Sequence, residues 1–137
     1  MPDPALLKKR RLLTDQRALV LNSPTGYLDR LTPPPDSVIL DPEPAAGVSY
    51  DFVQVFVRNS GELAHWLPIA RQTARYDGIL WVCYPKLSAK VLSDLSRDRL
   101  WDLTKPTGLA PVTQIALDDT WSALRFRPAE RVGAGKA

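Results

Sequence analysis

The sequence is poor in the residues that build reactive or metal-binding sites. Its 137 residues include one cysteine, Cys83, and one histidine, His65. A lone cysteine cannot form an internal disulfide, and one cysteine with one histidine excludes a thiol-rich or multi-histidine zinc site. We therefore expect no metal, a buried Cys83 that packs as a small hydrophobe, and an exposed His65 on a helix.

The chain also lacks a long hydrophobic run. No apolar stretch approaches the roughly 18 residues that a membrane-spanning helix needs. The basic N-terminus is not followed by the apolar segment of a signal peptide, so we expect a cytoplasmic protein that does not associate with a membrane. A hydrophobic fraction of 45% and a charged fraction of 24% are typical of one globular domain.

An excess of basic charge is absent from the body of the chain. Residues 1–17 carry five basic and two acidic side chains, and residues 125–137 carry four basic and one acidic. Residues 18–124 carry nine basic and twelve acidic side chains. Nucleic-acid binding usually requires a basic face on the folded domain, so this acidic body disfavours it. The two basic ends can still contact phosphate or an acidic surface.

The central part of the sequence predicts a βαβ unit. Apolar runs at 52–57 and 79–84 flank a segment at 61–76 in which apolar residues recur at helical spacing. Pro68 lies inside that segment and should kink the helix or divide it in two. Two apolar strands joined by a helix form a right-handed parallel crossover, so we expect a mostly parallel sheet.

Shorter apolar runs complete the predicted sheet. Strands are expected at 18–21 and 37–40 before the βαβ unit. An antiparallel hairpin of strands at 112–117 and 121–126 is expected after it. The predicted fold is a three-layer, Rossmann-like α/β sheet with the strand order 2-1-3-4-6-5, in which only strand 6 is antiparallel.

The remaining segments complete the predicted organisation. A helix should begin near Ser96, with Leu100, Trp101 and Leu103 facing inward. The expected units are a basic N-terminal helix or arm at 1–17, a single α/β domain at 18–128 and a disordered tail at 129–137.

Polar side chains follow the predicted strands at their carboxyl ends. In an open α/β sheet, ligands bind beyond these ends where the strand order reverses, here between strands 1 and 3. The side chains expected at this edge are Asn22, Ser23, Thr25 and Gly26 after strand 1, Asp41 after strand 2, Arg58 and Asn59 after strand 3, Tyr84 and Lys86 after strand 4, and Asp118, Asp119 and Trp121 at the turn before strand 6. A polar rim is common to such folds, and Lys86 can simply pair with Asp118 or Asp119. The alternative that these side chains are ordinary turn residues and bind no ligand therefore stays open.

Three segments resemble known families. They are residues 50–57, 78–86 and 121–126, which include WVCYPK at 81–86 and most of TWSALRF at 120–126. Together with the predicted strand order, they are similar to a truncated S-adenosylmethionine-dependent methyltransferase. Residues 19–128 resemble more closely an uncharacterised bacterial family of short proteins that carry WxxYPK and TWSALRF segments. That closer resemblance implies no activity.

The methyltransferase resemblance implies a cofactor site at the ends of the first two strands. That family has a glycine-rich loop after its first strand, where this chain has Ser23, Thr25 and Gly26, with Pro24 in the same turn. The family has an acidic residue after its second strand that bonds the ribose, where this chain has Asp41. These four residues, Ser23, Thr25, Gly26 and Asp41, are therefore the implied cofactor-binding set. No catalytic residue carries over, because residues 57–60 read Val-Arg-Asn-Ser instead of the Asn/Asp-Pro-Pro-Tyr of amino-methylating members.

Three hypotheses for the function follow. We favour a non-catalytic binding or accessory protein that has a degenerate methyltransferase-like fold, takes no cofactor and binds a protein partner or a small ligand. The alternative is a small methyltransferase-like or nucleotide-binding enzyme that uses S-adenosylmethionine, with Tyr84 or Lys86 near its substrate. A third is a binder of nucleic acid or of an acidic partner through the basic ends. A single loop glycine, Gly26, argues against the second, and the acidic body argues against the third.

Overall fold

The chain folds around one mixed β-sheet. The computed structural model describes residues 17–24, 27, 39–86, 94–117 and 119–131. Its strands are β1 (Arg17–Leu21), β2 (Ile39–Asp41), β3 (Tyr50–Phe56), β4 (Ala74–Pro85), β5 (Leu109–Ala116) and β6 (Trp121–Pro128). Its helices are α1 (Ser60–Thr73) and α2 (Arg97–Thr104), followed by 3-10 turns at Lys105–Thr107 and Ala129–Arg131.

The strands pair in the order β2-β1-β3-β4-β6-β5, which confirms the predicted order. The pairs β1/β2, β1/β3 and β3/β4 are parallel, whereas β6 is antiparallel to both β4 and β5. Asp41 at the end of β2 is level with Leu19, and Leu21 at the end of β1 is level with Val55. The short strand β2 therefore stops two residues before β1 does.

Apolar side chains alternate along the strands and form one cluster on each face of the sheet. On one face, Leu19, Val53 and Val82 form a cluster with Leu67 of α1 and Leu100 of α2. The opposite face carries a second cluster that includes Ala18, Val20, Tyr27, Phe52, Phe56, Trp81, Cys83 and Ala123. Cys83 is fully buried in this cluster, as the sequence predicted.

Helix α1 begins at a side-chain cap and continues through its proline. The Asn59 side chain accepts a hydrogen bond of 2.9 Å from the backbone N–H of Glu62 and caps the helix. Pro68 does not divide α1, so that part of the prediction is wrong. Pro68 and Ala64 are both exposed, and water can bond the Ala64 carbonyl that a proline leaves without its donor.

The boundary between α1 and β4 differs from the prediction. The helix was expected to reach residue 76, but it ends at Thr73, and Ala74 already pairs with Tyr50 of β3. The Ala74 N–H still donates to the Ala70 carbonyl, but Ala74 itself already has the extended backbone of a strand. An added Cβ at Gly78 would lie 3.1 Å from the Arg75 carbonyl oxygen, so glycine suits the irregular segment between Ala74 and Ile79, where the pairing with β3 shifts register.

One further expectation is corrected in α2. Trp101 does not face inward: it is 41% exposed, and the Lys105 ammonium lies 4.8 Å from its ring centroid. In this helix of eight residues, Leu100 and Thr104 share the inward line, and Trp101 is rotated by about 100° from it. The first residues assigned to a disordered tail, Ala129–Arg131, form a 3-10 turn, and the Ala129 N–H donates to the Gly108 carbonyl at 2.7 Å.

Some expectations fall outside the described residues. The predicted N-terminal helix lies there, as do Thr25, Gly26 and Asp118. Within the ranges that the structure describes, no helix is both long and apolar enough to cross a membrane.

Candidate functional site

A crevice opens where β1, β3 and β6 meet at the carboxyl edge of the parallel strands. It has a volume of about 370 Å³ and is lined by Asn22, Ser23, Pro24, Arg58 and Trp121. That volume lies within the range of small-molecule pockets, roughly 300–1,000 Å³. Ligands of open α/β sheets bind at such a reversal of strand order, so this edge has room for a small ligand.

Asn22 forms the wall of the crevice next to β1. It is the first residue after that strand and has a φ angle of 54°, a left-handed conformation that asparagine tolerates better than most residues. Its side-chain amide donates to the Phe56 carbonyl at 2.8 Å and to Glu62 Oε1 at 3.1 Å. Asn22 therefore ties the end of β1 to the end of β3 and to the first turn of α1.

Arg58 supplies the positive charge of the crevice and is held from behind by Glu62. The carboxylate accepts from the backbone N–H of Arg58 at 3.0 Å, from Nε at 2.9 Å and from Nη2 at 2.8 Å. These bonds, those to the Arg58 guanidinium foremost, hold the pKa of Glu62 below its usual value against the opposing effect of burial. Glu62 thus stays ionised and keeps the guanidinium in place.

Trp121 forms the apolar side of the crevice and is packed against the buried Phe56. The Trp121 ring meets the Phe56 ring edge-on at a centroid distance of 5.1 Å, and Phe56 meets Tyr27 at 4.7 Å. The Leu117 N–H donates to the Trp121 carbonyl at 2.9 Å and fixes the start of β6. Trp121 is partly exposed and lines the cavity, so it offers an aromatic surface to a ligand.

Asp41, the expected ribose-binding residue, does not line this crevice. Its Oδ2 accepts from Arg17 Nε at 3.1 Å, from Arg17 Nη2 at 2.9 Å and from the Tyr50 hydroxyl at 2.5 Å. The hydroxyl of Tyr50 and then the Arg17 guanidinium lower the pKa of Asp41. Because Arg17 and Tyr50 are the first residues of β1 and β3, Asp41 is bonded towards the starts of these strands, away from Ser23.

The other predicted rim residues that the structure describes do not line the crevice. Asn59 is used as the cap of α1, and Asp119 is exposed in the loop before β6. The Tyr84 hydroxyl is buried on the α2 side, where it accepts from Gln114 Nε2 at 2.8 Å and where burial raises its pKa. Lys86 is half-buried beyond β4 and does not line the crevice.

The structure thus brings together a subset of the predicted residues. Ser23, Arg58 and Trp121 share the crevice with Asn22, whereas Asp41 and Tyr84 do not. Glu62 was missed as a residue of this site, because it lies in the first turn of a helix and not at the end of a strand. Its spacing of four residues from Arg58 was the available signal.

The described lining residues are suited to binding a ligand by hydrogen bonds and aromatic contact. They provide an amide, a hydroxyl, a guanidinium and an indole. None of these groups is a general base at neutral pH. In the part of the chain that the structure describes, no cluster of three or more His, Cys, Asp or Glu side chains could hold a metal ion.

Comparison of the sequence with known families and curated proteins gives no match: no protein-family model matches it, and no curated protein does. The resemblance to a bacterial family of short proteins therefore stays a prediction.

Solved structures do match the chain at low sequence identity. The ribosomal protein L11 methylase from Lactobacillus delbrueckii subsp. bulgaricus is 8% identical, with a TM-score of 0.61 over 91% of this chain and 75% of that one. DhpI in complex with SAH is 16% identical, with a TM-score of 0.59 over 91% of this chain and 83% of that one. Magnesium protoporphyrin IX methyltransferase from Synechocystis PCC 6803 with bound SAM is 8% identical, with a TM-score of 0.54 over 90% of this chain and 74% of that one.

These matches define the class of fold. The chain has the Rossmann-like α/β fold of S-adenosylmethionine-dependent methyltransferases, with a mostly parallel sheet and one antiparallel strand. At such identities the likeness extends to the fold alone, since one fold hosts many functions.

Proposed function

We propose that the chain binds an adenosyl ligand of the S-adenosylmethionine type in the crevice, as a small methyltransferase-like protein. The observation that carries this proposal is the cavity of about 370 Å³ at the reversal of a methyltransferase strand order. Two of the similar structures, DhpI with SAH and the magnesium protoporphyrin IX methyltransferase with SAM, contain such ligands and support it.

The residues that line the crevice fit the parts of such a ligand. Trp121 offers an aromatic surface for the adenine ring. The Ser23 hydroxyl, which has no hydrogen-bond partner among the described residues, can bond a ribose hydroxyl or the tail of the ligand. Arg58 can bond a negative group. When bound, S-adenosylmethionine would supply a methyl group for transfer.

Thermal unfolding and calorimetric titration with S-adenosylmethionine and with S-adenosylhomocysteine test the proposal. A ligand that binds only the folded state stabilises it by about 2.7 kcal/mol at a hundred times its Kd, so the melting temperature should rise with ligand concentration. Methionine, which lacks the adenosyl group, serves as the control ligand and should not change the melting temperature. The absence of any shift and of any binding heat at millimolar adenosyl ligand would contradict the proposal.

A second candidate is a protein that binds a ligand in the crevice and does not catalyse a transfer. One observation favours it: the carboxylate that should bond the ribose, Asp41, is already bonded by Arg17 and Tyr50. The described lining residues also include no general base.

Replacement of Asp41 tests the observation that favours the second candidate. If Asp41 only holds the starts of β1 and β3, Asp41→Asn lowers the melting temperature and leaves the affinity for S-adenosylhomocysteine unchanged. If Asp41 bonds the ribose, the affinity of the folded variant falls by about tenfold or more. The second result would place the ribose at Asp41 and remove the observation that favours the non-catalytic protein.

A further inference from the structure

We infer that the crevice recognises a ligand by its carboxylate and that Arg58 is the residue that binds this group. The inference rests on the proposed function for the rest of the ligand. It adds that the carboxylate of the amino-acid tail is the group recognised and that Arg58 binds it.

Arg58 is the one charged residue among the described residues that line the crevice. An adenosyl ligand with an amino-acid tail carries one carboxylate, which needs a cation or several N–H donors when it leaves water. Lys86 emerges from the same edge of the sheet but does not line the cavity. The carboxylate therefore has one charged partner available within the described lining.

One edge of the Arg58 guanidinium is bonded to Glu62, and the other edge is open to a ligand. Nε and Nη2 both bond the same oxygen, Oε2 of Glu62. Nη1 makes no hydrogen bond within the described residues, and the side chain is 61% exposed. A planar guanidinium has five N–H donors, so the edge formed by Nη1 and the second hydrogen of Nη2 can take a carboxylate with two parallel bonds.

Glu62 makes this edge selective as well as available. It is held by Asn22 and by the backbone N–H of Arg58, so the guanidinium is oriented before a ligand arrives. Its negative charge also offsets that of Arg58, which weakens non-specific attraction of anions at this position. A carboxylate that makes two directed hydrogen bonds to the oriented guanidinium still gains binding free energy. An anion that cannot make both bonds gains little.

The test compares two ligands that differ only in the carboxylate. S-adenosylmethionine and decarboxylated S-adenosylmethionine are titrated by calorimetry into the wild-type chain and into Arg58→Met, Arg58→Lys and Lys86→Met variants. The wild-type chain should bind the carboxylated ligand about tenfold more tightly, as expected for a charge-assisted contact at an exposed side chain. Arg58→Met should remove that preference, because it lowers the affinity for the carboxylated ligand and does not lower that for the decarboxylated one.

The other variants serve as controls. Arg58→Lys should restore part of the preference because it keeps the charge but not the fork. Lys86→Met should keep all of it, since Lys86 lies outside the cavity lining.

Two results would overturn the inference, and they can be told apart. If the wild-type chain binds both ligands equally well, or if Arg58→Met weakens both equally, the inference fails and the proposed function stands. If the wild-type chain binds neither ligand, the proposed function fails and the inference fails with it. Circular dichroism of each variant shows whether it is folded, so loss of binding by unfolding is recognised.

Discussion

At the scale of single residues, the buried polar side chain of Gln54 shows how specific contacts are selected. Gln54 is fully buried in a strand of apolar residues, so its amide needs hydrogen-bond partners. The Tyr27 hydroxyl donates to its Oε1 at 2.9 Å, and its Nε2 lies 3.3 Å from Cys83 Sγ. The sequence indicates the need for a partner, and the folded chain determines that Tyr27 meets it from 27 residues away.

Removal of the Tyr27 hydroxyl should destabilise the fold. Tyr27→Phe leaves the buried Gln54 Oε1 without this donor, and the free energy of unfolding should fall by about 1–3 kcal/mol. Tyr27→Phe combined with Gln54→Leu should cost less than the sum of the two single replacements, because neither partner then remains to be desolvated alone. Urea denaturation of the four proteins measures this coupling, and strict additivity would contradict it.

Asn22 allows a nearly isosteric test of the crevice wall. Asn22→Asp keeps the shape and the tolerance for the positive φ angle, but it replaces the amide donor with a carboxylate that faces the Phe56 carbonyl and Glu62. The free energy of unfolding at neutral pH should fall by about 2 kcal/mol. Asn22→Gly, which also accepts the φ angle and adds no charge, should cost less. Equal stability of Asn22→Asp and the wild-type chain in chemical denaturation would show that these bonds do not stabilise the wall.

At the scale of elements, a polar cluster joins the three strands β2, β1 and β3. The Asp41 carboxylate at the end of β2 bonds Arg17 of β1 and Tyr50 of β3, and the Tyr50 hydroxyl accepts from the Ala45 N–H at 3.0 Å. The strand β2 has only three residues, so few ladder hydrogen bonds hold it. The carboxylate cluster therefore contributes to the attachment of this short edge strand.

This cluster should make part of the stability depend on acid pH. The folded pKa of Asp41 lies below its ordinary value of 3.8, chiefly because the Tyr50 hydroxyl and Arg17 bond the charged form. Its contribution is therefore fully present above pH 3.8 and is lost as the pH falls through the folded pKa. The difference in free energy of unfolding between the wild-type chain and Asp41→Asn should be largest at neutral pH and should shrink between about pH 4 and pH 2.

The comparison with Asp41→Asn isolates this carboxylate. Glu62 also has a lowered pKa and gives a loss of the same sign, but it is present in both proteins and cancels. A difference between the two proteins that stays constant over the acid range would show that Asp41 does not carry this dependence.

At the scale of the whole molecule, the crevice depends on three segments that are distant in the chain. The turn after β1, the end of β3 and the start of β6 meet because β1 and β3 are neighbours and β6 runs back beside β4. A ligand that occupies this crevice contacts all three segments at once. Its binding should therefore protect them together.

Hydrogen exchange can show this joint protection. Addition of saturating S-adenosylhomocysteine should slow exchange of the amides around Asn22, Arg58 and Trp121 and leave those of the edge strand β5 unchanged. The amides beside Asp41 provide the internal comparison, because Asp41 does not line the cavity. Protection centred on Asp41 with none at Arg58 would place the ligand elsewhere.

Much of the fold can be predicted from local patterns in the sequence. The apolar runs that became β3 and β4, the helical pattern of α1 and the final hairpin each carry their own period, and together they predicted the strand order. The end of α1 could not be predicted, since Ala74 continues the helical face in the sequence but pairs with Tyr50 in the structure. Trp101 was misplaced for a similar reason, because an eight-residue helix buries only a narrow line of side chains.

The sequence by itself determined the alternation of apolar and polar residues, and through it the sheet, its order and the edge where polar groups collect. Only the tertiary structure decided which of those groups share a crevice. Asp41 and Arg58 both follow strands and look equivalent in the sequence. Asp41 bonds Arg17 and Tyr50 because β2 stops two residues before β1 does, whereas Arg58 meets Glu62 and Asn22 at the open end of β3. The relative length and register of neighbouring strands decide this difference, and those follow from packing between distant segments.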